Sequence, residues 1–415
     1  MIATPLKGIN ILDFGWVIAG PYGTGLLSDL GARVVKVEAK KNLDLMRTSP
    51  NMKRKGVKDF AEEGAWCFQV FNKNKESITL DIKSESGRAI MLELVKHFDV
   101  VCGNLAPSTF HKMGLSYENL KTAKEDIIVV NASGFGNDGP YSEYLSYAPI
   151  VHALTGLTNT IGYPDLNIRS ISSIVDYVGG LAVAESILAA IEYRRQTGRG
   201  QFVDISQAET MMGLMGIIYM HFQSNGTIPQ LRGNQRAGDA AAPHDVFPCK
   251  DEDSWCVISV DSEEAWLELC HLMDPDGLWT RDPEYATFEL RLNNLEKLNT
   301  LVGEWTQDYT PAELADMLQK AGVSAAPVQN SADLFADPHL ESRGFFMPMI
   351  FPPSDREPQE VLVPGNPFLM GNTTRSAPRC APSLGEHTRK IMEEFLGMDD
   401  TAFQTAMENG AFGEL

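Results

Sequence analysis

The chemistry of this chain is predicted to centre on one aspartate, Asp176, and the glycine pair that follows it. A short apolar run at 171–175 precedes the acid. After Gly179 and Gly180, apolar residues recur every three or four positions, which predicts a helix. Asp176 is therefore expected at a helix N-terminus, where backbone N–H groups and the helix dipole favour an ionised carboxylate. Such a carboxylate, uncrowded and without a cationic partner, is suited to nucleophilic attack. The alternative is an ordinary helix-capping aspartate.

The rest of this segment is predicted to support a ligand close to the backbone. Gly179 and Gly180 have no side chain to block an approach, and the N–H groups near them are candidates for stabilising an oxyanion. The helix is predicted to end at Arg194, Arg195 and Gly198, because cations and then glycine suit a helix C-terminus. The run at 200–206 then predicts a strand.

Strands and helices alternate through the N-terminal half of the chain. Residues 8–38 read as strand, loop, helix and strand, which is a βαβ unit, and the alternation continues beyond them. This pattern predicts an α/β fold with a mainly parallel sheet. Ligands bind such sheets beyond the carboxyl ends of the strands. The site is therefore expected in the loops at 17–19, 72–75, 104–106 and 133–136.

A dinucleotide-binding unit is one interpretation of the first βαβ unit. Glu38 ends its second strand, where a ribose-binding acid would stand. The glycines disagree, because the first strand ends at Phe14 while glycines follow at 15, 20, 23 and 25, and Ser28 occupies a position that the dinucleotide fingerprint gives to glycine. NAD binding is therefore not expected.

Charge and composition narrow the classes of partner. With a formal net charge of −20 and a pI near 4.8, the chain is not expected to bind nucleic acid or an anionic membrane surface. No apolar run approaches the roughly 20 residues of a membrane span, and no secretory signal is visible. The six cysteines are scattered without a CxxC pair. This spacing favours reduced thiols and a cytoplasmic protein, and predicts no metal site.

A local concentration of positive charge interrupts this acidic background. It predicts either a phosphate-binding rim or a solvated loop. The basic residues are Lys40, Lys41, Arg47, Lys53, Arg54, Lys55 and Lys58.

The length of 415 residues favours two domains. The predicted organisation is a large domain at 1–222, a linker at 223–245, a small α+β domain at 246–330, and a connecting segment at 331–415 that returns to the large domain. The Met-rich stretch at 208–222 is apolar on nearly every side, which predicts a helix buried in a core or between subunits.

Seven stretches, taken in order, resemble the class III coenzyme A transferases, the family of formyl-CoA transferase and the CaiB/BaiF-like enzymes. The resemblance covers nearly the whole chain. The stretches are PLKGINILDF, AGPYGTGLLSDLGARVVKVE, FNKNKESITLDIKSESGRA, GFGNDGPY, the Asp176 segment running into RRQTGRGQFVDIS, APHDVFPC and APSLGEHT.

The resemblance implies a Rossmann-like large domain built from both ends of the chain, a smaller middle domain, and an interlocked homodimer or a hetero-oligomer with a related subunit. It implies that Asp176 is catalytic and that a coenzyme A thioester is substrate, with no permanently bound cofactor. The positions that match the family's CoA contacts are Val17, Ile18, Ala19, Lys40, Lys75, Asn104, Lys112, Met113 and Phe135.

This chain also departs from the family pattern. Ala39 stands where the formyl-CoA transferases have arginine, so Lys40 or Lys41 would take its place. Ser133 and Phe135 replace a lysine and a tyrosine of some relatives, and the small-domain GGGGQ loop is missing. Oxalate or formate is therefore not expected as substrate, and a larger or more apolar acyl group is.

The resemblance implies that CoA moves from an acyl-CoA donor to a free carboxylic acid through covalent intermediates at Asp176. One alternative is proton transfer of the 2-methylacyl-CoA racemase kind, which needs a paired histidine and aspartate. Here Ser146-Tyr147-Ala148 occupies the matching stretch, and His152 is predicted to be a core histidine. A second alternative is a CoA-binding partner subunit of a hetero-oligomeric transferase.

Overall fold

The structure is a computed structural model that describes residues 4–48, 66–163, 173–228, 231, 233–234, 240–274, 276–277, 279–351, 359–373 and 377–413. Its strands are β1 (Asn10–Asp13), β2 (Arg33–Glu38), β3 (Glu76–Thr79), β4 (Val100–Gly103), β5 (Ile128–Ser133), β6 (Phe202–Ser206), β7 (His244–Pro248), β8 (Trp255–Ser259), β9 (Ser324–Pro327), β10 (Phe346–Phe351) and β11 (Gln359–Pro364).

The helices are α1 (Ala19–Asp29), α2 (Leu45–Thr48), α3 (Trp66–Asn72), α4 (Glu85–Val95), α5 (Pro107–Lys112), α6 (Tyr117–Ala123), α7 (Ala148–Leu154), α8 (Ile174–Thr197), α9 (Gln207–Leu214), α10 (Gly216–Asn225), α11 (Glu263–Met273), α12 (Phe288–Asn293), α13 (Leu295–Thr306), α14 (Pro311–Lys320), α15 (Ser331–Phe335), α16 (Pro338–Ser342), α17 (Thr388–Leu396) and α18 (Asp400–Glu408).

The chain divides into two compact units. The larger comprises Met1–Thr158, Ser170–Gly226 and Glu341–Leu415, and the smaller comprises Asn159–Arg169 and Thr227–Leu340. The larger unit thus combines both ends of the chain. The small domain was predicted to end near 330, and the smaller unit runs ten residues further. The boundary between the two units lies between Gly226 and Thr227, within the linker predicted at 223–245.

A six-stranded sheet forms the frame of the larger unit. Its order is β3-β2-β1-β4-β5-β6 and every neighbouring pair is parallel, as the alternation of strands and helices predicts. Strands of this sheet bury both faces. In β5, Val129 faces one core while Ile128 and Val130 face the other. The strand order switches between β1 and β4: β2 and β3 lie on one side of β1, and β4, β5 and β6 lie on the other. The loops after β1 and β4 therefore diverge and leave a crevice at the carboxyl edge.

Helices cover the two faces. On one face, α4, α6, α17 and α18 pack on the core, so the C-terminal helices close the sheet that the N-terminal strands build. On the other face, α1 and α8 contribute Leu27, Val183 and Ile187. A β-carbon on Gly23 of α1 would lie 2.5 Å from the carbonyl oxygen of Gly180, so glycine is required for this close approach. Gly23 therefore serves the packing of α1 against α8.

Helix α8 differs from its prediction at one end. Its C-terminus is confirmed, because it ends at Thr197 with Gly198 in the left-handed region at φ 70°. Its N-terminus lies earlier than expected, at Ile174, so Gly179 and Gly180 lie inside the helix. Among the described helices, α8 is long and apolar enough to cross a membrane by length and composition, contrary to the expectation from the sequence. A core helix meets the same test, and α8 packs on the sheet.

The smaller unit has a core of its own. Strands β7, β8 and β9 form an antiparallel sheet, which α11, α13 and α14 cover. The cap of α14 shows why a helix begins there: the hydroxyl of Thr310 accepts the N–H of Glu313, and the Glu313 carboxylate accepts the N–H of Thr310.

The Met-rich stretch at 208–222 forms two helices rather than one. The first, α9, buries Ala208 and Met211, whereas α10 has no buried residue. On α10, Ile217 is 86% exposed. The prediction of burial in the core is therefore wrong for α10 within a single chain.

Candidate active site

A cavity of about 320 Å³ lies at the carboxyl edge of the parallel sheet, wholly within the larger unit. Its walls come from the loops after β1, β4 and β5, from the segment leading into α7, and from the first turns of α8 and α9. The residues that line it are Trp16, Val17, Asn104, Leu105, Ala106, Ser133, Gly134, Ser142, Tyr144, Leu145, Ser146, Tyr147, Ala148, Val151, Asp176 and Gln207.

Asp176 enters this cavity from the first turn of α8. Its backbone N–H donates to the carbonyl oxygen of Ser173 at 3.0 Å. Within the described part of the chain, no Lys, Arg or His forms an ion pair with its carboxylate. Burial raises the pKa of Asp176 to about 6. The position at a helix N-terminus was expected to favour the ionised form of Asp176. That expectation is corrected, because desolvation of the carboxylate is the larger effect.

His152 fixes the chain beside Asp176. The ring of His152 is fully buried, and its Nε2 accepts the backbone N–H of Val175 at 3.3 Å. A ring nitrogen that accepts an N–H carries no proton of its own. His152 is therefore a core histidine, as predicted, and its Nε2 anchors the first turn of α8.

The loop after β1 forms the wall opposite α8 and has a strained backbone. Val17 has φ of 62°, in the left-handed region that β-branched residues rarely adopt. The Asn104 side chain holds the preceding residue. Its Oδ1 accepts the N–H of Trp16 at 2.7 Å, and its Nδ2 donates to the Trp16 carbonyl at 2.9 Å. Asn104 was predicted to contact CoA, but the structure commits its amide to the loop.

Lys75 is not placed to meet a ligand. Its side chain is fully buried, and its Nζ bonds to Asp13 at 2.8 Å and to the Thr24 hydroxyl and Pro21 carbonyl at 2.9 Å each. Burial lowers the pKa of Lys75 to about 8, against the opposing effect of Asp13. The prediction of a CoA contact is corrected, because an ammonium enclosed by these partners has no exposed face. Its ion pair with Asp13 and its bonds to Thr24 and Pro21 instead join the end of β1 to α1.

The remaining predicted CoA contacts are spread over the larger unit. Ile18 and Ala19 are buried where α1 begins, Lys40 lies on the turn after β2, and Lys112 and Met113 end α5. The ring of Phe135 packs against Tyr141 and Tyr144. Of the predicted contacts, the cavity wall contains Val17 and Asn104.

The predicted basic rim is reduced in the structure. Arg47 is fully buried and paired with Glu38, with Nη2 2.8 Å from the carboxylate. Its guanidinium also lies 3.7 Å from the Phe68 ring centre. Arg47 is therefore part of the interior, and Lys40 and Lys41 stay on the turn after β2. The other rim residues, Lys53, Arg54, Lys55 and Lys58, lie outside the described residues.

The two glycines of the Asp176 segment serve packing. Backbone N–H groups beyond the first turn of a helix bond within the helix, so those of Gly179 and Gly180 do not point at the cavity. A β-carbon on Gly179 would lie 3.0 Å from the Gln207 side chain, and one on Gly180 would lie 2.7 Å from the Tyr22 ring. The oxyanion role predicted for them is replaced by these close contacts.

Two polar side chains of the cavity wall carry hydrogen-bonding groups that a substrate could contact. One is Gln207, which no sequence motif marks; its Nε2–H donates to the Ala132 carbonyl oxygen at 2.8 Å. The Ser133 hydroxyl is buried without a hydrogen-bond partner among the described residues. Ser133 ends β5 and Gln207 begins α9 directly after β6, so both lie at the carboxyl edge of the sheet, and that position is the signal that could have identified Gln207.

No group of three or more His, Cys, Asp or Glu side chains is placed to hold a metal within the described ranges. The buried acids Asp13, Glu38 and Asp44 each have a cation as partner. The absence of a metal site stays a prediction.

Comparison with known proteins decides the family. The profile of CoA-transferase family III matches residues 6–388. The chain belongs to this family. This CoA transferase is 31% identical over 405 residues to succinyl-CoA–D-citramalate CoA-transferase of Chloroflexus aurantiacus, with 97% of both chains covered. It is 29% identical over 400 residues to the succinyl-CoA–L-malate CoA-transferase beta subunit of the same organism, with 95% of both covered.

Solved structures agree with the family assignment. A CAIB/BAIF family protein from Brucella suis superposes with a TM-score of 0.83 at 30% identity, covering 94% of this chain and 99% of that one. The family resemblance expected from the sequence is thereby confirmed, and the protein is an enzyme that transfers CoA. The conserved fold extends over both compact units.

Proposed function

We propose that this enzyme moves CoA from an acyl-CoA donor to a free carboxylic acid, with Asp176 as a covalent carrier. The observation that carries the proposal is a half-buried carboxylate in a cavity at the carboxyl edge of the sheet, facing the strained loop after β1. A carboxylate there is desolvated and unpaired within the described residues, which leaves its oxygen reactive.

The first half of the reaction moves CoA onto the enzyme. An oxygen of Asp176 attacks the donor's acyl carbonyl carbon, the C–S bond breaks, and CoA leaves as thiolate from a mixed anhydride. The thiolate then attacks the aspartyl carbonyl carbon and the donor acid leaves as carboxylate. Asp176 now holds CoA as a thioester, so the activation stays in a covalent bond.

The second half reverses these steps with another acid. The acceptor carboxylate attacks the aspartyl carbonyl and displaces CoA thiolate, which forms a second anhydride. The thiolate attacks the acceptor's carbonyl carbon, the new acyl-CoA forms, and Asp176 is restored as carboxylate. Every bond that breaks is matched by one that forms, and neither water nor a permanent cofactor takes part.

We propose that CoA enters along the loop after β1. The 3-2-1-4-5-6 order of parallel strands supports a Rossmann-like large domain, in which the loops at the order switch receive the ligand. The pantetheine arm would follow the backbone of Val17, Ile18 and Ala19 toward Asp176. The phosphate end would meet Lys40, and Lys112, Met113 and Phe135 complete the proposed contacts.

Substrate class follows from relatives and cavity together. The two relatives above are named for succinyl-CoA as one partner. We propose an acyl-CoA donor of this kind, with succinyl-CoA as the first to test. The acceptor acid is proposed to be larger than formate or oxalate, because the wall at Ser133 has a small hydroxyl side chain beside Val151 and Tyr147.

We infer that α10 is covered by a second polypeptide. An amphipathic surface helix normally buries one face, yet α10 exposes Ile217, Met220 and Phe222 together. An interlocked homodimer would cover this surface. A related subunit is the other candidate, because one relative is named as a beta subunit. The mass of the assembly that the chain forms when purified alone decides between them.

We propose a cytoplasmic location, which the six free thiols support.

The test of the proposed function compares Asp176→Asn with Glu185→Gln, which removes an exposed carboxylate from the same helix. We expect the first change to lower kcat at least ~10³-fold in a CoA-transfer assay, because the carrier is lost. Glu185→Gln should leave kcat unchanged. Wild-type enzyme incubated with acyl-CoA and then hydroxylamine should yield an adduct on the Asp176 peptide by mass spectrometry.

The pH profile gives an independent measure of the same group. Since the pKa of Asp176 is raised to about 6 and the attacking form is the carboxylate, kcat/KM should fall tenfold per pH unit below about 6. Full activity in Asp176→Asn would refute the proposal, as would loss of α-deuterium label from an acyl-CoA without any acceptor acid.

A further inference from the structure

Side chains form hydrogen bonds to successive backbone N–H and C=O groups of the loop after β1. Asp13 Oδ1 accepts the N–H of Gly15 at 2.7 Å, and Lys36 Nζ donates to the Gly15 carbonyl at 2.7 Å. Asp44 Oδ1 accepts the N–H of Val17 at 3.2 Å. With the two Asn104 bonds to the residue between, five consecutive backbone polar groups are held. A loop bonded in this way has little freedom to change its conformation.

Lys36 and Asp44 are themselves a buried ion pair. Their nitrogen and oxygen lie 2.9 Å apart and both side chains are 0% exposed. Asp44 also accepts the N–H of Met46. A buried pair of this kind is weak support for stability, because two well-packed apolar side chains would avoid its desolvation cost. Apolar side chains, however, could neither accept from Val17 nor donate to Gly15.

The strain at Val17 shows what these bonds do. A β-branched residue at φ of 62° persists where its surroundings over-determine the backbone, and such residues concentrate at functional sites. Trp16 and Val17 line the cavity together with Asp176. The bond from Val17 to Asp44 is therefore one of the contacts that hold this wall against its own strain.

We propose that Asp44, with Lys36 as its partner, is a positioning residue for CoA transfer: it holds the Trp16-Val17 backbone so that a thioester in the cavity is aligned with Asp176. This inference rests on the proposed function. It assigns a role in the reaction to two residues that touch neither substrate nor Asp176.

The chain contains a matched control at the opposite edge of the same sheet. Asp99 accepts the N–H of Asn10 at 2.8 Å with one oxygen and pairs with Arg194 at 2.7 Å through the other. The chemistry repeats that of Asp44, with a backbone N–H on one oxygen and a cation on the other. Asp99 lies at the amino edge, where it touches no part of the cavity wall.

The experiment compares two double variants, Lys36→Met/Asp44→Leu and Arg194→Met/Asp99→Leu. Each replaces an ion pair by apolar side chains, so neither leaves a buried charge alone. We expect kcat to fall about 10²-fold in the first, with a smaller change in KM for acyl-CoA, because displacement by an ångström costs that much in rate. The second should keep kcat within about threefold. Equal kcat in the two variants would overturn the proposal.

Active-site content separates misalignment from misfolding. A misaligned enzyme forms the Asp176 adduct slowly but completely, whereas a partly unfolded preparation forms a reduced amount at the normal rate. We expect the slow and complete pattern in Lys36→Met/Asp44→Leu. A reduced amount at the normal rate would show a structural role alone and overturn the proposal.

Asp44→Asn provides a second test if the double variant does not fold. Val17 and Lys36 bond to different oxygens of Asp44, and the substitution turns one of these into an NH2 that cannot accept, so one of the two bonds is lost. We expect kcat about tenfold below wild type, and wild-type kcat would overturn the proposal. Failure of the proposed function looks different: it is activity that survives in Asp176→Asn. Failure of positioning alone is full activity in the Asp44 variants beside an inactive Asp176→Asn.

Discussion

The two edges of the parallel sheet treat charge in opposite ways. At the carboxyl edge, the pairs Asp13–Lys75, Lys36–Asp44 and Glu38–Arg47 have side chains that are 0% exposed. At the amino edge, Arg194 and Asp99 keep 13% and 18% exposure, and Arg33, 28% exposed, pairs with the buried Glu76 and with Glu394 at the surface. Water therefore reaches the charged groups of the Arg194–Asp99 pair at the amino edge and is excluded from the three pairs at the carboxyl edge.

This difference shows where the sheet has been built for chemistry. A buried ion pair has a larger desolvation cost than an exposed one. If one partner is removed, the other charge is left without either a partner or solvent. Burial would raise the pKa of Asp13, but Lys75 and Lys36 beside it hold that pKa below its usual range. Asp176, at the same edge, has no such cation within the described residues, and its pKa rises instead. Paired and unpaired carboxylates thus take opposite roles at one edge.

The strongest test of the comparison is to break one pair at each edge. Lys75→Met leaves the Asp13 carboxylate enclosed without its main partner, and we expect unfolding free energy to fall by about 3–5 kcal/mol. Arg194→Met leaves Asp99 with solvent and the Asn10 N–H, so about 1 kcal/mol or less is expected. Urea unfolding of both variants, with the m-values compared, measures the difference. Equal losses would mean that burial does not distinguish the edges.

A second test uses the unpaired acid. Because the folded-state pKa of Asp176 lies above its value of 3.8 in an unfolded chain, ionisation opposes folding once the pH rises through the interval from about 4 to 6. Asp176→Asn removes this effect. Its unfolding free energy should match wild type at pH 4 and exceed it by about 1–3 kcal/mol at pH 7. Urea unfolding at both values measures it, with Glu185→Gln as control. A variant less stable than wild type at pH 7 would show that Asp176 is stabilised by its site.

The smallest expected effect concerns Ser133. Its hydroxyl is buried without a partner among the described residues, so Ser133→Ala removes an unsatisfied group and should change the unfolding free energy by less than about 1 kcal/mol, toward greater stability. If the hydroxyl contacts substrate, KM for the acid rises while stability is kept. Thermal unfolding and steady-state kinetics together distinguish the cases. A marked loss of stability would show that the hydroxyl is bonded within the protein.

The sequence was sufficient for the features that local periodicity determines. Alternating strands and helices predict the parallel sheet, and Arg194, Arg195 and Gly198 predict the end of α8. The family motifs also predict Asp176 as the site residue; the structure places it in the cavity wall, and its catalytic role stays a prediction. These signals work because each depends on neighbours in the chain or on a pattern that many residues share.

Other features depend on contacts between distant residues, which no local pattern of residue types reveals. Lys75 and Asn104 match family contacts by position, but which partner each side chain meets depends on Asp13 and Trp16, 62 and 88 residues away. The pKa of Asp176 likewise depends on how deeply α8 is buried. Gln207 was missed because a glutamine at the start of a helix is ordinary until its neighbours are known.

The contact of α1 with α8 has a consequence for how such an enzyme can diverge. The strained loop leads directly into α1, Asp176 lies in the first turn of α8, and the two helices meet where Gly23 lies against Gly180. A β-carbon on Gly23 would lie 2.5 Å from the Gly180 carbonyl oxygen, with the Val183 side chain beside it, so a side chain larger than hydrogen at Gly23 would push the two helices apart. Residues lining the cavity can then be exchanged without disturbing the contact that spaces the loop after β1 from the first turn of α8.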